Sequence, residues 1–226
     1  VYCTKIYGEY IYQGDIILED PTNMNGARRK AAGINESFFF KLWPENTVYY
    51  TINENFNNSQ RIYDAIKEYH EKTNIKFVPR TNENHYIEFI YDKDGCSSNV
   101  GMFLIKQFIK IADWGDASHV IHEIGHAIGL LHEQSKTGRD EYVTILWDNI
   151  ECKIPIINCE KHNFEEYKNS INTPGFDFKS IMLYNSWGFS KFIKTNSKGG
   201  KYLETWDKTT ATILKKDGTT FETKDN

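Results

Sequence analysis

The chain contains no run of eighteen apolar residues, which excludes a membrane-spanning helix of ordinary length. It also lacks a large excess of either charge. Its 27 basic and 31 acidic side chains leave a formal net charge of −4 with no dominant patch, which argues against a nucleic-acid surface. The opening Val1-Tyr2-Cys3-Thr4-Lys5 has none of the basic, apolar and small-residue succession of a secretory signal, so any such signal is expected to have been removed. No internal repeat, low-complexity tract or deep compositional gap is present. The 226 residues suffice for one compact domain or for two subdomains sharing a cleft.

Cysteine is scarce, with four residues at positions 3, 96, 152 and 159. Cys152 and Cys159 stand seven apart around Pro155, close enough for a small disulfide-closed loop and hence for an oxidising, extracellular compartment. Cys3 and Cys96 are left over, either to pair with each other or for one of them to take a chemical role. Aromatic residues, by contrast, are plentiful: fourteen Tyr, fourteen Phe and five Trp suit a well-filled core or an extended cleft for a polymer.

Periodicity predicts the elements. The first thirty residues read as an appendage, with an extended or turn-rich stretch around Gly14-Asp15 and the basic cluster Arg28-Arg29-Lys30 before Ala31-Ala32-Gly33. A folded domain is expected from Phe38 onward. Residues 47–52 form a strand. Asn58-Ser59 can cap a helix whose apolar positions are Ile62, Ala65, Ile66 and Tyr69, ending near Thr73-Asn74. Strands follow at 75–78 and 86–91, and another within 103–111. A second helix begins at Asp116-Ala117-Ser118 and is stopped by Gly129. Beyond residue 150 the pattern is irregular, with short stretches at 211–214 and 219–223.

The chemistry concentrates in the second helix. His122 and His126 are four residues apart and project from one face, while Glu123 lies one step round from His122, placed to hold a water beside a metal. His132 is six residues further on and reaches the same point only if the helix breaks, which Gly129 allows. Three neutral imidazoles with an open position form the catalytic type of zinc site. One zinc ion held there would acidify water, with Glu123 as general base, and polarise a peptide carbonyl. A zinc-binding interaction module that has lost catalysis would need no Glu123. A non-proteolytic zinc hydrolase is disfavoured by the alternating strand 86–91, read as an edge on which an extended peptide could pair.

The run His122-Glu123-Ile124-Gly125-His126-Ala127-Ile128-Gly129-Leu130-Leu131-His132-Glu133-Gln134 resembles the extended zinc signature of the astacin family of metzincin endopeptidases. Ser180-Ile181-Met182-Leu183-Tyr184 resembles that family's Met-turn, and Leu42-Trp43-Pro44, Gly95-Cys96-Ser97 and Arg139-Asp140-Glu141-Tyr142-Val143 add to the likeness. The resemblance, of bacterial-like and zymogen type, implies an α+β fold. It has an N-terminal subdomain with a mixed twisted sheet and two long helices, an irregular C-terminal subdomain, and a cleft between them. It places Met182 beneath the zinc histidines and makes Tyr184 a zinc ligand at rest and an oxyanion stabiliser in turnover. Leu183 stands where the family often has histidine, Asn74 stands where a family disulfide cysteine is expected, and no partner for Cys96 is found near Trp114.

The resemblance further implies a pro-segment over residues 1–30 and a catalytic domain over 31–226, divided into an upper part at 31–131 and a lower part at 132–226. Tyr12-Gln13-Gly14-Asp15-Ile16 is similar to the family's inhibitory motif, so Asp15 is a candidate zinc ligand of the latent form. Cys3 is the other candidate and is preferred at this point, because zinc favours sulfur and an unpaired cysteine in a secreted protein asks for a role. A trypsin-like protease would cleave around Arg29-Lys30-Ala31, and the new terminus at Ala31 or Ala32 would turn toward Glu133. The substrates expected are proteins or peptides.

Overall fold

The computed structural model describes residues 4–6, 9–18, 42–102, 105–153, 158–167, 172–195, 201–203 and 205–223. Cys3, Arg29, Lys30 and Ala31 lie outside the described residues. The chain divides into two compact units, one holding nearly all described residues up to Leu131 and one running from His132 onward.

The first unit is built on an eight-stranded mixed sheet. Its strands are β1 (Thr4–Ile6), β2 (Glu9–Tyr12), β3 (Ile16–Leu18), β4 (Thr47–Ile52), β5 (Lys76–Pro79), β6 (Tyr86–Tyr91), β7 (Ser97–Ser98) and β8 (Lys106–Ile111). They lie in the order β1-β2-β3-β7-β8-β6-β4-β5. The β4–β5, β4–β6 and β6–β8 pairs are parallel, whereas β7 runs antiparallel to β8. Alternation within the strands sorts their faces: Val48 and Tyr50, Ile87 and Phe89, and Ile109 and Ile111 are buried, and the register Tyr50↔Ile87 and Phe89↔Ile109 aligns them.

Two helices cover this layer, α1 (Gln60–Lys72) and α2 (Ala117–Ala127). The predicted stripe Ile62, Ala65, Ile66 and Tyr69 is the buried face of α1, and α2 contributes Val120, Ile124 and Ala127. Each fully buried large aliphatic is worth roughly 1.5–3 kcal/mol, so the shared core, not helix propensity, holds both helices. Ser59 occupies the predicted cap position of α1 but makes no side-chain capping bond. Arg61 on the same helix is buried and crosses to the loop before α2, donating from Nη1 to the carbonyls of Ala112 at 2.7 Å, Asp113 at 3.3 Å and Gly115.

Two sequence expectations change here. The strand 86–91 is no edge, because β6 is hydrogen-bonded to β4 on one side and β8 on the other. The strands at 4–18 form no separate appendage either: β2 and β3 make a hairpin, and β3 joins the sheet by parallel pairing with β7, with Ile16 opposite Ser98. Strand length and alternation carry no information about which neighbours a strand will find, so neither outcome was legible locally.

The second unit is assembled from short pieces. β9 (Val143–Ile145) pairs with β14 (Ile213–Lys215), β10 (Cys152–Lys153) with β11 (Asn158–Cys159), and β12 (Ile193–Thr195) with β13 (Lys201–Leu203), all antiparallel. Cys152 and Cys159 face each other across their hairpin and are joined as a disulfide. Val143, Ile145, Ile150, Phe164, Leu183, Ile213 and Phe221 form its core. Buried hydroxyls take over where ladders are missing. Ser190 donates to the Thr210 carbonyl at 2.8 Å, Thr212 to that of Gly188 at 2.8 Å, and Ser186 accepts from the Phe221 N–H at 2.9 Å. The stretch 219–223 forms no strand; it returns along this core through Phe221. No helix among the described residues is long and apolar enough to cross a membrane.

Candidate metal centre

The helix that carries the metal ligands is closed at both ends by its own sequence. Asp116 caps α2, its carboxylate accepting from the Ser118 N–H at 2.8 Å and the His119 N–H at 3.3 Å, while His119 Nδ1 accepts from the Asp116 N–H at 3.3 Å. Hydrogen bonding, first that of the Ser118 hydroxyl, holds the Asp116 carboxyl down to about 2. At the other end Gly129 has φ +109, the Leu130 N–H reaches the Gly125 carbonyl at 2.9 Å and the Gly129 N–H reaches that of His126 at 2.8 Å. These two bonds make a Schellman motif, which reverses the chain after Ile128 as the glycine implied.

The reversal has a chemical consequence. It brings the Leu130 carbonyl to 2.9 Å from His126 Nδ1, so that the ring donates there and its Nε2 carries the lone pair. His122, Glu123 and His126 are all buried. Two further bonds hold the helix end: Trp43 Nε1 donates to the Ala127 carbonyl at 2.9 Å, and the Gly101 N–H to that of His126 at 2.8 Å.

The turn between β2 and β3 faces this helix. Gln13 and Gly14 both take positive φ, at 51° and 86°, and the tight loop presents Asp15. Its carboxylate oxygens stand 3.3 Å from His122 Nε2 and 3.5 Å from His126 Nε2. One ligand atom from each of Asp15, His122, His126 and His132 lies within 4.8 Å of the others, and the three histidines are buried. Tetrahedral zinc with bonds near 2.0–2.1 Å sets its ligand atoms about 3.4 Å apart, so the 3.3 and 3.5 Å spacings from Asp15 and the nitrogen-and-oxygen donor set fit zinc.

Around His132 the second unit arranges its own supports. The Glu133 N–H donates to the Met182 carbonyl at 2.9 Å, and the Tyr184 N–H to Gln134 Oε1 at 3.2 Å. The Tyr184 ring is tilted against His132 with centroids 4.8 Å apart. Glu133 Oε1 accepts from Lys136 Nζ at 3.2 Å and from the Asp177 N–H at 3.0 Å, so a cation of the chain itself stands at the carboxylate expected to receive a new amino terminus. Leu183, at the position where histidine was expected, is buried in the core of this unit.

Several contributors escaped the sequence reading. Arg61, Leu130 and Lys136 act through a side chain or carbonyl whose partner is distant or on the far side of a turn. Among them only the Glu133–Lys136 spacing of three left a local signal. Cys96 is a free, partly buried thiol, and burial pushes it up to about 12, which disfavours the thiolate.

Two histidines and a buried glutamate on one helix, a third histidine beyond its break, and a mixed sheet covered by two helices make up the fold and site of the metzincin class. Residues 36–210 match the family model for astacin, a family of peptidases. The chain is 33% identical over 187 residues to zinc metalloproteinase nas-4 of Caenorhabditis elegans, covering 79% of this chain and 57% of that protein. It is 33% identical over 193 residues to the low choriolytic enzyme of Oryzias latipes, covering 81% and 66%. Among solved structures it resembles high choriolytic enzyme 1, a hatching enzyme zinc-protease of the same fish, with a TM-score of 0.62 at 29% identity, covering 80% of this chain and 82% of that one. The chain belongs to the astacin family. It spans between 26% and 67% of the length of these curated relatives. Those relatives are mostly eukaryotic, so the likeness is not the specifically bacterial one expected.

Proposed function

We propose that this chain is a secreted zinc-dependent endopeptidase held latent by its own amino-terminal segment, and that Asp15 is the latency ligand. The observation that carries the reading is the convergence of the Asp15 carboxylate with the ligand atoms of His122, His126 and His132. The preference for Cys3 gives way to Asp15 because a built turn presents the aspartate directly to two of the histidines. Secretion is supported by the Cys152–Cys159 disulfide.

Zinc held by the three histidines would supply a charge that acidifies water and polarises a peptide carbonyl. His126, fixed by Leu130, and His122 hold their nitrogens toward the site. Glu123 accepts the proton of the attacking water and delivers it to the leaving amine. Tyr184, beside His132, would hold the ion at rest in the mature form, and its phenol would donate to the developing oxyanion. Asp15 excludes water and substrate from the same position until the hairpin is released. Release follows cleavage by a trypsin-like protease around Arg29-Lys30-Ala31, separating residues 1–30 from a catalytic domain of 31–226, with parts at 31–131 and 132–226.

The experiment is hydrolysis of a denatured protein before and after limited trypsin treatment, with and without a chelator. Activity should rise as about thirty residues are lost, and the chelator should abolish it. In the uncleaved chain Asp15→Ala should release activity and Cys3→Ala should not; the reverse would return the role to the thiol. Equal activity before and after cleavage would remove the latency claim.

A further inference from the structure

On the side away from β8, β7 and the residue after it offer two hydrogen-bond donors, and the proposed latency hairpin uses both. The Ser98 N–H donates to the Asp15 carbonyl at 2.9 Å, and the Asn99 carboxamide donates from Nδ2 to the Ile17 carbonyl at 3.0 Å. Asp15 and Ile17 are two residues apart, so their carbonyls point the same way from an extended strand. These donors are held in register with the metal helix. Ser98 is fully buried, Val100 nearly so, and the next residue, Gly101, is bonded through its N–H to the His126 carbonyl at 2.8 Å and through its own carbonyl to Gln107 Nε2 at 3.0 Å. The backbone of β7 is committed to β8 on its other side. Neither acceptor is a side chain, so any extended peptide can offer the same pair.

Building on the proposed latent peptidase, we propose that the Asn99 carboxamide is a backbone anchor used twice: it holds the Ile17 carbonyl of the inhibitory hairpin and, once the hairpin leaves, a carbonyl of the extended polypeptide substrate. Asn99 is a positioning residue, since it touches backbone two residues away from Asp15 and not the reacting atoms. It recognises polypeptide as a class, with no preference among side chains at that point. It also couples latency to substrate affinity, because loss of the amide weakens both contacts together.

The test uses the trypsin-opened full chain, an extended peptide substrate, and a synthetic peptide of residues 9–18 as competitive inhibitor. Asn99→Asp and Asn99→Leu should raise KM and the inhibitor's Ki in parallel, each about two- to tenfold, the worth of one neutral hydrogen bond, with kcat within about twofold. Asn99→Gln should recover part of both. A trans-alkene replacing the Ile17–Leu18 peptide bond should weaken the inhibitor on the wild-type enzyme, a readout that needs no variant to fold, and have little further effect on Asn99→Leu. The inference is overturned if KM and Ki move independently, if both stay flat, if kcat alone falls, or if the 9–18 peptide fails to inhibit. If the opened wild-type chain cleaves no peptide, it is the peptidase reading that fails.

Discussion

Replacing Arg61 by methionine should cost stability out of proportion to its distance from the metal. The guanidinium is buried on α1 and reaches the loop 112–115, with strong bonds to the carbonyls of Ala112, at 2.7 Å, and Gly115. Asp113, at 3.3 Å, and Asn57, at 3.4 Å, add weaker ones, and the cation lies 4.9 Å from the Phe56 ring centroid. Methionine matches the aliphatic stem but leaves these carbonyls without a donor. Two charge-assisted bonds are worth roughly 1.5–3 kcal/mol each. Part is offset because a guanidinium no longer has to be desolvated, which leaves a net loss of about 3 kcal/mol. For a protein of this size that corresponds to a fall of roughly 6–12 °C in Tm. The loop ends at Asp116, the cap of the metal helix, so the loss should loosen the site as well as the core. Denaturant unfolding followed by far-UV circular dichroism should show a lower midpoint at unchanged slope. Arg61→Lys, whose ammonium can still meet two of the carbonyls, should recover about half. A shift below about 1 kcal/mol for the methionine variant, or equal losses for both variants, would refute the clamp.

Three other outcomes follow from the site. Glu123→Gln should lower peptide hydrolysis by about 10²–10⁴-fold or more while the zinc content stays unchanged, as measured by metal analysis beside the rate assay. Gly129→Ala should be strained, because φ +109 disfavours a Cβ although the nearest atom, on Leu42, is 4.0 Å away. The displaced Leu130 carbonyl should weaken zinc retention roughly ten- to hundredfold in a chelator competition. Asp116→Ala should remove about 1 kcal/mol of helix capping. The Asp116 carboxyl is depressed from 3.8 to about 2, so its contribution is present above about pH 4 and lost as the pH falls toward 2. Unfolding curves of the wild type and the variant should therefore converge over that window, and a constant difference down to pH 2 would remove Asp116 from the account.

The amino-acid sequence by itself determined the elements whose signal is short-range. The strand at 47–52, the helix at 60–72 with its buried stripe, the strand at 86–91 and the capped metal helix at 117–127 all come from side-chain periodicity and end signals. The histidine spacing with Gly129 was enough to predict the helix break and the convergence of the three histidines, and the Cys152–Cys159 loop was close enough along the chain to be read as a bridge. Only the tertiary structure decided who neighbours whom. Strand β6 turned out to be interior and β7 the strand that receives the β2–β3 hairpin, because sheet order is set by pairings between residues tens of positions apart. The same reason hid the Arg61 clamp, the Asn99 donor and the approach of Asp15 to His122 and His126. A turn aspartate looks alike in any sequence, and its meaning arises when β3 pairs with β7 and sets the carboxylate 3.3 Å from His122.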